Sequence, residues 1–234
     1  MDQPIAQGKP VVILACRVFK HWLEQLLPEG WESRITFFDY GLHAIPKNLR
    51  QTIQQAIDEI EQPSLVILVY GLCGNGLDRI RAGKHHLLIP RTDDCIAILL
   101  GSYQAYRREM EREPGTYYLS KGWLEAGTNP LAESIAMEKK YGAETAVFLM
   151  DTQYHNYRRL MMVGRNEQEL NEYRAQAQAV AGYCARWGMR YEERFGSDDY
   201  LRRLADVALG LEQPGDDFLL IPPGGELTQA MFIR

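Results

Sequence analysis

The chain has 234 residues, enough for one large domain or two small ones built on a shared core. It is 46% hydrophobic and 24% charged with a net charge of −5, an ordinary globular composition without the basic stripe of a nucleic-acid binder. No run approaches the roughly 18 apolar residues of a membrane span, and Met1 to Lys9 is polar with no apolar signal core, so a cytoplasmic protein is the expectation.

Val11 to Ala15 is an unbroken apolar run rich in β-branched residues, the pattern of a strand buried on both faces. Residues 18–27 carry apolar positions at helical spacing, and Pro28-Glu29-Gly30 stops that helix. Arg34 to Asp39 is a second strand. GLHAIP is a loop, and Pro46 suits the first turn of a helix reaching about residue 61. Leu65 to Tyr70 is the third strand and runs straight into Gly71-Leu72-Cys73-Gly74-Asn75-Gly76. A short helix over 77–82 is expected next, then a fourth strand from His86 to Pro90. A polar loop from Arg91 to Cys95 leads into a helix over 96–112. This alternation predicts an α/β fold with a parallel, Rossmann-like sheet and helices on both faces.

The second half repeats the theme. Thr116 to Leu119 reads as a short strand and Trp123 to Ala126 as a short helix. Asn129-Pro130 opens a helix that ends at Tyr141-Gly142, and Thr145 to Met150 is expected to be a strand. The following stretch is ambiguous. Asn166 caps a long helix to about residue 187, with an apolar stripe from Leu170 through Cys184 to Trp187. Met189 to Arg194 is a strand, 197–210 a helix and Phe218 to Ile221 the last strand. The expected organisation is one compact unit over 1–234, with 1–112 and 113–234 as sub-lobes of similar build.

Four cysteines without a CxxC pair argue against a disulfide framework in a reducing compartment. Cys16, Cys73 and Cys95 each sit at or near a strand–loop junction. In a parallel sheet such junctions share one edge, where ligands bind. Three converging thiolates suit a [4Fe–4S] cluster with one free iron, or zinc with one open position. Cys184, on the apolar stripe of a helix, is a small core residue.

The neighbours of these cysteines have open roles. Arg17 and Arg91 would hold a substrate carboxylate or neutralise thiolate charge. Asp93 and Asp94 either support the ligands or cap the helix that follows. The glycines around Cys73 (Gly74, Asn75, Gly76) would let the backbone approach a cofactor; an anion cradle is the weaker option. His43 is a candidate fourth ligand or general acid/base, whereas His85 and His86 read as structural. Tyr117, Tyr118 and Trp123 with Lys121 would either close over a ligand or form a joint between lobes.

The run of ILACR, LHxxP, YGLCGNG, DDCI followed by LLGS, and PGTYYL resembles the DUF1638 family, with Cys16, Cys73 and Cys95 at the family's cysteine positions. The chain has CRVF where a CG start is usual and LHAIP where LHNRP is usual. The resemblance implies a setting in anaerobes and methanogens beside corrinoid methyltransferase systems. The layout of one cysteine per strand end also resembles, more loosely, three-cysteine [4Fe–4S] enzymes such as quinolinate synthase and thiouracil desulfidase. The leading expectation is a metalloenzyme acting on a small molecule, with [4Fe–4S] slightly ahead of zinc. The rival is a non-catalytic metal or corrinoid chaperone, or a methyltransferase partner.

Overall fold

The computed structural model describes residues 8–27 and 30–234. The reading of the N-terminus rests largely on residues 1–7, and the Pro28-Glu29 helix stop on 28–29; both lie outside the described residues. The fold is mixed α/β with two sheets, and the chain divides into two compact units. One comprises Met1–Tyr103 with Asp198–Arg234, the other Gln104–Ser197. The division therefore falls about nine residues before the expected 112/113 boundary, and the last segment returns to the first unit. Among the described residues, no helix is long and apolar enough to cross a membrane.

The first unit is built on strands β1 (Val11–Cys16), β2 (Ile35–Phe38), β3 (Leu65–Val69), β4 (His86–Pro90) and β8 (Phe218–Ile221), with β5 to β7 belonging to the second unit. Their order is β2-β1-β3-β4-β8. The first four run parallel, and β8 pairs antiparallel to β4. Every residue of β3 (LVILV) is buried, as a continuous apolar run in a covered parallel strand requires. Helix α1 (Lys20–Leu26) buries Trp22 and Leu23. Helix α2 (Pro46–Asp58) starts with Pro46 in its first turn and buries Leu49, Ile53 and Ile57, one turn apart on a single stripe.

Two expectations fail here for local reasons. Residues 77–82 form no helix: 77–79 are a turn with Arg79 at φ 66°, and Arg81 bridges to Glu226. The helix over 96–112 is broken at Gly101 (φ 84°) into α3 (Ile96–Leu99) and α4 (Tyr103–Arg112). The sheet is mostly rather than wholly parallel, because β8 returns to cover the β4 edge.

The second unit holds the parallel strands β5 (Thr116–Ser120), β6 (Arg159–Gly164) and β7 (Arg190–Phe195) in sequential order. Its helices are α5 (Lys121–Glu125), α6 (Pro130–Tyr141), α7 (Ala143–Tyr154) and α8 (Glu167–Cys184). Helix α9 (Asp199–Leu209) belongs to the first unit and packs on β4, α1 and α3. The expected strand over 145–150 is part of α7. Its run TAVFLM fits either period, but Ala146, Met150 and Tyr154 are buried at helical spacing. The ambiguous stretch instead supplies β6, the fully buried central strand. Its polar first residue and two unbranched methionines hide it from a propensity reading.

That first residue, Arg159, is wholly buried and ion-paired. Its guanidinium lies 2.8 Å from Glu109 on α4 and 3.2 Å from Glu192 on β7, and its Nε donates to Thr116 at 2.8 Å. Arg194 makes a second close pair with Glu109. Removing one member strands a buried charge. Glu109→Gln should therefore lower unfolding free energy by about 3–5 kcal/mol in urea titrations, with no comparable loss for exposed Arg107→Gln.

His85 gives the first unit a pH dependence. It is 2% exposed, and its Nδ1 accepts from the Ser64 N–H at 3.2 Å. Burial, helped by Lys84, holds its pKa below the usual histidine value. The fold thus binds fewer protons than the unfolded chain. Stability is complete above about pH 6.5 and declines as pH falls through that value toward the lower folded pKa. Urea midpoints should drop between pH 7.5 and pH 5.5, and His85→Gln, which keeps an acceptor, should flatten that drop.

Candidate functional site

The first-unit sheet reverses its winding between β1 and β3. The chain passes from β1 to β2 on one side, then returns to add β3 and β4 on the other. Such a switch point opens a crevice at the carboxyl ends of the strands. Cys16 is the last residue of β1, Cys73 follows β3 by four residues and Cys95 follows β4 by five. All three cysteines therefore belong to this edge.

The loops after β3 and β4 are joined backbone to backbone. The N–H of Leu72 donates to Thr92 at 2.8 Å, and that of Cys73 donates to Asp93 at 2.9 Å. Gly71 permits this approach: a Cβ there would lie 2.5 Å from the carbonyl carbon of Asp94. Cys73, Gly74 and Asn75 then run through left-handed conformations at φ 48°, 62° and 68°. Two of these are not glycine, a local strain that only a well-determined loop sustains. Gly76 is equally constrained, since a Cβ there would meet Leu49 at 2.5 Å.

The result is a thiol cluster. Cys16, Cys73 and Cys95 are 5%, 8% and 9% exposed, and none is in a disulfide. Cys95 stands between the other two: its Sγ lies 3.5 Å from that of Cys73, and the Cys16 thiol is close enough to act on it electrostatically. That interaction, then burial, holds the Cys16 pKa well above the ordinary thiol value, with the charges of Cys95 and Asp39 adding to it. For Cys95 the interaction with Cys16 lowers the pKa. The contact with Cys73, burial and the nearby Asp94 outweigh it and leave the net shift upward. None of these neighbours is cationic. Among the described residues, no group of three or more His, Cys, Asp or Glu side chains is placed so that it could hold a metal ion. The sulfurs lie against one another instead.

Two hydroxyls that the sequence reading passed over belong to the same loops. Tyr70, directly after β3, is 2% exposed, and its hydroxyl has no hydrogen-bond partner. Burial pushes its pKa up, and the charges of Cys16, Cys95 and Cys73 push it further. Thr92 is 1% exposed, and its hydroxyl is likewise unpaired. The available signal was a polar-tipped aromatic ending an otherwise apolar strand run, immediately before a glycine-rich cysteine loop.

The remaining candidates sort clearly. Asp94 caps α3, its Oδ1 accepting from the Ile96 N–H at 2.8 Å. Asp93 is exposed and joins the loops through its carbonyl. Arg17 and His43 are exposed and are not among the groups acting on the thiols. Arg91 is committed elsewhere: its guanidinium donates to the carbonyls of Met231 and Ile233, both at 2.6 Å. It ties the loop after β4 to residues 231–233. Lys121 belongs to the second unit, 3.9 Å from Glu125 and over the Tyr173 ring. Tyr117 packs edge-on against Tyr154 and Tyr157, so it serves that unit's core. Cys184 lies in the same core, its thiol pushed up to about 12 by burial. A separate groove of about 630 Å³ follows α2 past Arg50, Arg79 and Arg81, with none of the cysteines in its walls.

Fold and site together define a doubly wound α/β protein with a buried three-thiol cluster at its switch point. The family model described as "Protein of unknown function (DUF1638)" matches residues 37–205, and the chain belongs to that family. Cys73 and Cys95 fall inside the matched stretch; Cys16 precedes it. No curated protein and no solved structure matches the chain.

The Gly71–Asp94 contact predicts that Gly71→Ala separates the two loops. It should cost about 1–3 kcal/mol, the usual range for overpacking. Cys73 and Cys95 should then react with a thiol reagent under native conditions far faster than in the wild type, while Cys184 stays protected. Equal reactivity in the two proteins would show that the contact does not hold the cluster closed.

Proposed function

We propose that Cys16, Cys73 and Cys95 hold one thiophilic metal centre with an open coordination position, and that the centre binds and activates a small molecule. The observation that carries this reading is the meeting of three sulfurs from three separate strand ends in one buried cluster. The donor set fits: thiolates select zinc, copper(I) or iron–sulfur centres over calcium or magnesium. The electrostatics fit as well, since a cation would supply the charge compensation that the surrounding side chains do not.

For the Cys73–Cys95 pair alone, the separation is nearer that of two thiolates on one zinc than that of two cluster ligands. Two thiolates on one tetrahedral zinc stand about 3.8 Å apart at the usual Zn–S length. The Cys73–Cys95 separation is 3.5 Å. A [4Fe–4S] centre places each thiolate on a different iron and needs the sulfurs spread wider. The bound centre would act as a Lewis acid on its ligand. The protein's own part is to exclude water, fix the loops through Gly71 and keep the thiols in register. A cytoplasmic setting belongs to the same proposal, because four free thiols suit a reducing compartment.

Elemental analysis of protein purified without oxygen tests the reading. About one metal per chain is expected in the wild type and in Cys184→Ser, and a large loss in Cys73→Ser and Cys95→Ser. Iron with acid-labile sulfide in place of zinc would select the cluster. Full metal content in both site variants would overturn the assignment. Turnover of a small molecule separates an enzyme from a carrier that hands metal or corrinoid to a methyltransferase partner.

A further inference from the structure

We infer that Tyr70 is a positioning residue of this centre, its hydroxyl donating a hydrogen bond to a metal-bound sulfur. The inference rests on the metal reading above and extends it to a residue outside the ligand set.

The observation is an orphan. The Tyr70 side chain is 2% exposed, yet its Oη meets no acceptor in the protein. Buried polar groups are paired in the great majority of cases, and leaving one unpaired costs about 1–3 kcal/mol. Phenylalanine would fill the same space without that cost. The hydroxyl is therefore kept for a partner that the metal-free protein does not supply. The nearby chemistry is sulfur: the register that sets Ala15 opposite Val69 brings Tyr70 level with Cys16 at the strand ends, and Cys73 follows three residues on. A protonated thiol is a poor acceptor. A thiolate on a cation is a better one, and hydrogen bonds to metal-bound ligands orient them and tune the centre. Tyr70 is placed to provide that bond by the chain itself. It leaves β3 one residue before Gly71, whose missing Cβ brings the Cys73 and Cys95 loops together.

Cobalt(II), a spectroscopic stand-in for zinc, gives the test. Wild type, Tyr70→Phe and Cys73→Ser are titrated with cobalt(II), following the sulfur-to-cobalt charge-transfer band, and each metal-free protein is unfolded in urea. Tyr70→Phe should bind cobalt about 10–100-fold more weakly, the range for losing a partner of a metal ligand, and should shift the band. Its metal-free form should be as stable as the wild type or more so, because an orphan has been removed. A role in packing alone predicts the opposite: lower metal-free stability with affinity and band unchanged. That pattern, or no change in any readout, would overturn the inference and leave the metal reading standing. Absence of any charge-transfer band in the wild type would sink both.

Discussion

The close approach of two loops governs the site. Gly71 lies against the backbone of Asp94, and two hydrogen bonds, Leu72 to Thr92 and Cys73 to Asp93, hold the segments together on either side. Without that contact the strands β3 and β4 would still pair, but their loops would have no reason to meet. Cys73 and Cys95 are 22 residues apart in sequence and become neighbours only through this junction. Cys16 needs no such device, because β1 pairs with β3 over five residues and brings its last residue to the same edge.

Both units bury polar atoms whose hydrogen bonds are incomplete, Ser120 in the second and Tyr70 and Thr92 in the first. In the second unit Arg159 and Glu109 satisfy each other inside a small core, and Glu192 and Thr116 complete the guanidinium's partners. Charge there is closed on itself, which makes it a structural element. In the first unit three thiols and two hydroxyls are buried without a cation or a complete set of bonds.

Much of this was readable from the residues. The strands over Val11–Cys16, Leu65–Val69 and His86–Pro90 announce themselves as β-branched or aliphatic runs, and strand ends in a parallel sheet share an edge, so the three cysteines could be grouped before any coordinates. Cys184 also declared itself, by sitting on a helical stripe. What escaped depended on partners far away in sequence. RLMMVG becomes a central strand because Arg159 finds Glu109 and Glu192, and TAVFLM becomes a helix because its buried residues face a core made of other segments. Arg91 looked like a substrate-binding group from its place beside Cys95, but its acceptors are carbonyls about 140 residues further along the chain. Tyr70 was hidden for the reverse reason: its meaning lies in a bond that is missing.

The engagement of Arg91 reaches beyond its own side chain. Arg234 returns the contact, donating to the Arg91 carbonyl at 2.7 Å and pairing with Asp217 at 2.9 Å, while its guanidinium covers the Tyr103 ring. Residues 231–234 are thereby geared to the very segment that carries Cys95. Removing the Arg234 side chain would release the Arg91 carbonyl and Asp217 together.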